Sequence, residues 1–139
     1  MIEEGIKTVL SPLVPDKVYE IDTYNKADIG GYPRIVILLS NTTSETITNK
    51  EVLHRHDYTV ALHQQASEDH GGAVQAQEQV NQISRDILSL LTNEIRADAP
   101  LDGTCQWVES VNTEEQSQVQ QLPMVSNTFT ITAVSIQAV

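Results

Sequence analysis

The stretch that decides the fold is Glu51-Val52-Leu53-His54-Arg55-His56-Asp57-Tyr58-Thr59-Val60-Ala61-Leu62-His63-Gln64-Gln65. Tyr58, Val60 and Leu62 fall on one side of an extended chain, and Asp57, Thr59, Ala61 and His63 on the other. Alternation of this kind predicts a half-buried antiparallel strand. After a turn over Ala66 to Gly72 the period changes. Val80, Ile83, Ile87, Leu88, Leu91 and Ile95 recur at helical spacing, opposite Gln75, Glu78, Gln82, Arg85, Asp86, Ser89 and Asn93. The pattern predicts one amphipathic helix over Ala73–Arg96, lying on the sheet and closed off by Pro100 and Gly103.

Upstream, Ile2, Ile6, Val9, Leu10 and Leu13 outline a short helix that Gly5 weakens and that Pro12 and Pro15 stop. A brief strand over Lys17–Asp22 follows, then a polar turn ending in Gly30-Gly31. Tyr32-Pro33 opens Ile35-Val36-Ile37-Leu38-Leu39, a run apolar on both faces that predicts a central strand. Ser40–Lys50 is polar and predicts an exposed loop or extended arm. Downstream, a strand around Cys105–Val111, a polar hairpin loop over Asn112–Gln121 and a strand over Leu122–Val139 finish the chain. In that last strand Phe129, Ile131 and Ala133 are apolar at odd positions, and Val134, Ile136 and Ala138 at even ones. A bulge near residue 133, or burial on both faces, accounts for the change. The expected fold is α+β, one domain over 1–139: an antiparallel β-sheet of four to five strands with one long and one short helix packed on one face.

Charge excludes some partners. Nineteen acidic against eight basic residues give a formal charge of −11, so a dominant basic patch for nucleic acid or an anionic membrane is not expected. The longest apolar run, Ile35–Leu39, is far short of the roughly 20 residues that span a bilayer. Met1-Ile2-Glu3-Glu4 has the wrong charge for a signal peptide, and the expectation is a soluble protein, cytoplasmic where it is made. The lone Cys105 excludes an intrachain disulfide and reads as a buried small hydrophobe.

Candidate chemistry is sparse. His54 and His56 lie two apart on one side of a strand and could chelate a divalent ion, but a catalytic zinc takes three protein ligands and no third is evident. His63 points the other way and His70 sits in a turn. The carboxylate pairs Glu3-Glu4, Glu68-Asp69 and Glu114-Glu115 stand at element ends or in polar loops, where nothing tunes them for acid–base work. No nucleophile elbow or phosphate-binding glycine pattern occurs, so no cofactor is expected. Two long polar segments, Ser40–Lys50 and Asn112–Gln121, exceed the usual connection of about 4–6 residues and suit partner contacts. The apolar excess of Ile35–Leu39 and Val125–Val139 implies self-association, by further burial or edge-strand pairing.

The order of elements resembles that of the tail-terminator and tail-completion (neck) proteins of long-tailed bacteriophages. The resemblance runs through Leu10-Ser11-Pro12-Leu13 closing the first helix, Val18-Tyr19, Tyr32-Pro33 opening Ile35–Leu39, and Arg55-x-Asp57-Tyr58-Thr59-Val60-Ala61-Leu62. It continues through the single long helix to Trp107 and Thr128–Thr132, and so covers nearly the whole chain. It implies a structural virion protein, not an enzyme: a homo-oligomeric ring, commonly of six subunits, assembled in the host cytoplasm. Such a ring caps the tail tube, meets the head connector or head-completion protein, and lets DNA pass as cargo. The residues it implies for partner contact are Thr43, Glu45, Thr48, Lys50, Glu114 and Glu115. The alternative is a small acidic α+β ligand-binding domain or metal-dependent enzyme that uses His54, His56 and Asp57.

Overall fold

The computed structural model describes residues 2–24, 31–65, 72–121 and 124–138. Helix α1 is Ile2–Leu10 and strand β1 is Glu20–Asp22. Strands β2 (Arg34–Thr48) and β3 (Glu51–Gln65) form a long hairpin. Helix α2 is Gly72–Asn93, and β4 (Trp107–Gln121) and β5 (Met124–Ala138) form a second hairpin. The five strands make one sheet in the order β1-β2-β3-β5-β4, and the fold is α+β. All pairings are antiparallel except β1 with β2, which is parallel and spans only Glu20–Asp22 against Arg34–Val36. Gly30, His70 and the Glu68-Asp69 pair lie outside the described residues.

β3 is the axis of the sheet. Its register with β5 is unbroken from Glu51 opposite Ala138 to Gln65 opposite Met124. Alternation therefore sorts three strands at once. Ile35 and Ile37 of β2, Tyr58, Val60 and Leu62 of β3, and Val125, Phe129, Ile131 and Ala133 of β5 share the core with Val80, Ile83, Ile87 and Leu91 of α2. Ile2, Ile6 and Leu10 of α1 join the same core. Leu88 and Ile95, expected on the buried stripe, are instead exposed. Leu88 stands on the flank of that stripe, and past Asn93 the helix tightens into a 3₁₀ turn, Glu94–Arg96, which throws Ile95 off it.

The change of hand in β5 comes from burial on both faces. Ile131, Thr132, Ala133 and Val134 are all buried, and no bulge interrupts β5 against β3. The bulge sits in the neighbouring strand, between Val108 and Ser110 of β4. It brings both Val108 and Val111 to the core side, against a strict two-residue alternation.

Asn112–Gln121, expected as a hairpin loop, is strand, and Ser40–Lys50, expected as an exposed loop or an extended arm, is an arm that stays in strand through Thr48. Ser40–Thr48 continues β2 through two register shifts, one between Thr46 and Thr48 and one between Leu39 and Asn41, where the Ser40 hydroxyl donates to the Asp57 carbonyl at 2.8 Å. Asn112–Gln121 continues β4. The polar composition of Ser40–Thr48 goes with its exposure, while cross-strand hydrogen bonds satisfy the backbone groups that face the neighbouring strand.

Arg34 begins β2 from a buried position. Its guanidinium donates to Asp22 at 3.1 Å and stands 3.8 Å from Glu20, tying β1 to the sheet. At the other end of the core, the Pro100–Gly103 turn holds Leu101 and Asp102 at positive φ, 51° and 59°. Burial of the Leu101 side chain, its N–H donating to Glu94 at 2.8 Å, and the Thr104 hydroxyl donating to its carbonyl at 2.7 Å hold that strained backbone in place.

Gly5 belongs to this junction. A Cβ there would lie 2.0 Å from the Leu101 carbonyl oxygen, so α1 can approach the turn only because residue 5 has no side chain. Gly5→Ala is expected to lower stability by about 1–3 kcal/mol through overpacking, outweighing the helix-propensity gain of about 1 kcal/mol. Chemical denaturation of the two proteins checks the sign. Phe129→Ala, at a fully buried position, is expected to cost about 3–5 kcal/mol in the same measurement.

Candidate functional site

Beyond the helical layer the β2–β3 hairpin projects as an arm. Every residue from Leu38 to Glu51 is exposed. Thr43, Glu45, Thr48 and Lys50 all lie on this arm and are exposed. The Thr48 hydroxyl accepts the Lys50 N–H at 3.2 Å and shapes the tip. Glu114 and Glu115 lie in β4, on the opposite edge of the sheet, and only their backbone is described. The arm and the Glu114-Glu115 pair are thus separate candidate surfaces rather than one.

Cross-strand side chains stiffen the arm. On the helix-facing side His54 and His56 each span three strands. His54 meets Ser44 Oγ at 2.7 Å through Nδ1 and Gln137 Oε1 at 3.1 Å through Nε2. His56 meets Thr42 Oγ1 at 3.3 Å and Ser135 Oγ at 3.1 Å. The two rings lie 6.0 Å apart. Next along the same face, the Tyr58 hydroxyl donates to Glu3 of α1 at 3.1 Å. Burial, with the Glu3 charge beside it, pushes the Tyr58 hydroxyl up to about 12, so this donor stays protonated. A hydrogen bond from the backbone, helped by the Tyr58 hydroxyl, holds the Glu3 carboxyl below its usual range, against a smaller opposing effect of burial.

The other sheet face carries an ion network. Arg55 donates to Glu109 of β4 at 3.1 Å and to Glu45 of β2 at 3.0 Å, so one guanidinium clamps strands on both sides of the β3–β5 pair. These carboxylates hold Arg55 more firmly protonated than usual. Asp57 lies on this face as well and accepts from the Thr132 hydroxyl at 2.7 Å. His63 does too, bonded to Ser126 Oγ at 2.7 Å.

His54, His56 and Asp57 are therefore not brought together. The two imidazoles share one face with their nitrogens engaged, and Asp57 points through to the other. Among the described residues, no three His, Cys, Asp or Glu side chains converge as metal ligands. Cys105 is half-buried against the core, and burial together with the Glu94 charge pushes its thiol up to about 11, leaving little thiolate near neutral pH. No helix of the described residues is long and apolar enough to cross a membrane. The Arg55 network was not legible in the sequence, because its two carboxylates come from strands 10 and 54 residues away.

No protein-family model matches the sequence, and no curated protein matches it.

Two histidines make stability depend on pH in a definite direction. Burial lowers the His56 pKa below 6.5, helped by the His54 charge and opposed by Asp57. Burial also lowers that of His63, helped by Arg34. A lowered folded-state value means that the fold favours the neutral ring, so protonation favours the unfolded chain. Their contribution is complete above the unfolded value and is lost as pH falls through about 6.5 and below. The urea midpoint is expected to fall between pH 7.5 and pH 5.5, and the double variant His56→Gln/His63→Gln to show a flatter profile over that window.

Proposed function

We propose that the chain is a ring-forming structural protein of the head–tail junction of a long-tailed bacteriophage, which caps the tail tube, meets the head connector and lets DNA through. The observation that carries this reading is the projecting β2–β3 arm: a hydrogen-bonded, side-chain-braced hairpin exposed from Leu38 to Glu51 with no helix of the described residues over it. A stiff polar arm on a compact body suits docking to a neighbour better than closing over a small ligand. Thr43, Glu45, Thr48 and Lys50 then present the surface for tail tube or connector subunits. The order of elements resembling that of neck proteins supports the same role.

Charge fits this use. The formal charge is −11, and Arg34 and Arg55, on the sheet face away from the helices, are both paired with carboxylates. A conduit with little free positive charge does not hold the nucleic acid moving through it. The enzyme alternative loses its site, since Asp57 and the two histidines occupy opposite faces.

The test is the state of the purified protein in solution. Light scattering after size exclusion is expected to give a mass several times the 15.4 kDa of one chain, near six-fold, with rings in negative-stain images. A stable monomer that takes up stoichiometric zinc would overturn the reading.

A further inference from the structure

We propose that the ring closes by β-sheet continuation: the open edge of β2 in one copy takes β4 of the next copy as an antiparallel strand. The proposal rests on the ring reading above and names the surfaces that build it.

Both edges are available. β1 covers β2 only at Arg34–Val36, so from Ile37 to Thr48 no strand of the described residues lies beside it. β4 pairs with β5 alone, and its other side carries no strand of the described residues. An unpaired strand edge presents a row of N–H and C=O groups that templates another strand unless lysine, proline or an inward charge blocks it. Residues 37–48 contain no lysine and no proline, and their single charge, Glu45, is already paired with Arg55. Large apolar side chains stand exposed along the two edges: Leu38 at 38 %, Leu39 at 55 % and Ile47 at 47 % on β2, and Trp107 at 39 % on β4.

The second copy's β4 fits better than its β2. β4 carries Glu109, Glu114 and Glu115 and no basic residue, so a β4–β4 contact would pair two acidic strands, and like charges across a strand pair are unfavourable. A β2–β2 contact would make a dimer that leaves both β4 edges open. A β2–β4 contact is heterologous, uses both edges of every copy, and leaves none once the cycle closes. Direction agrees, because β2 and β4 run antiparallel within one sheet and a rotation about an axis near the strands preserves that. The edges are also offset. The open part of β2 is level with Phe129–Ala138 of β5, whereas β4 is level with Met124–Val134. Full overlap therefore requires each copy to step along the strands relative to the last, and such a stagger is what a sheet closing on itself requires.

The test is complementation between edge-blocked variants. Proline removes an N–H, and along an antiparallel edge strand alternate residues turn that group outward. Thr42→Pro and Thr43→Pro are made separately for β2, and Asn112→Pro and Thr113→Pro for β4. At each edge the variant that keeps the wild-type circular dichroism and melting is the one whose N–H points outward, and it is used. The expected result is that wild type assembles, each blocked variant alone is monomeric, and an equimolar mixture of the two gives a dimer and nothing larger. The sole tryptophan, Trp107, reports the wild-type event by a blue shift of its emission with rising protein concentration. If the β4-blocked variant still associates alone, the contact is β2–β2 and the proposal fails. If both variants still form rings, the interface lies elsewhere; the edge proposal fails and the ring reading stands. If wild type stays monomeric at all concentrations, both fail.

Discussion

The pairing of β3 on both its sides, unbroken with β5 and shifted against β2 only between Leu39 and Asn41 and between Thr46 and Thr48, is the constraint on which the rest depends. Along its whole length β3 is held by β5, and along nearly all of it by β2. Side chains alternate across a sheet, so a slip of one residue would exchange the two faces. Tyr58, Val60 and Leu62 would then leave the helices, and Asp57, Thr59 and His63 would be pressed against them. The cost of desolvating those polar groups makes the register effectively unique. With that parity set, the helices lie against the face of Tyr58, Val60 and Leu62.

The same ladder continues past the helical layer, and there the character of the stabilising contacts changes. Within the body, apolar burial around Phe129, Ile131 and Val60 does the holding. Along the arm no helix supplies a covering surface, so side chains bridge from strand to strand instead. Histidine rings span β2, β3 and β5 on one face, and Arg55 reaches two carboxylates on the other. Surface pairs of this kind contribute little net stability individually. Their effect is directional, since each bridge fits only the native register. An arm braced in this way keeps its shape while exposed, and that is useful if its role is to meet a neighbour.

Much of the body was legible in the sequence. The alternation of Glu51–Gln65 and the stripe of Val80, Ile83, Ile87 and Leu91 correspond to β3 and α2. The polar extensions of β2 and β4 were not, because a polar strand carries no hydrophobic period. Threonine-rich Asn41–Thr48 pairs along one side with β3, a partner that no local pattern announces. Bulges at Ser40 and Glu109 also shift parity where a regular count fails. Of the site, the shared side of His54 and His56 follows from spacing, whereas Ser44, Gln137, Thr42 and Ser135 as their partners do not. Gly5 reads as a weak point in a helix and is in fact the gap that admits Leu101.

The sequence by itself determined which residues must leave water and at what period, and hence an α+β sheet with a long helix on one face. That information is local, because apolar burial imprints its spacing on the chain. Only the tertiary structure decided that two polar stretches are strands, that β1 joins in parallel, that Arg55 clamps across four strands, and that β2 and β4 are left as the edges. Those outcomes rest on backbone pairing and on contacts between residues far apart in sequence, where the partner and not the residue itself carries the information.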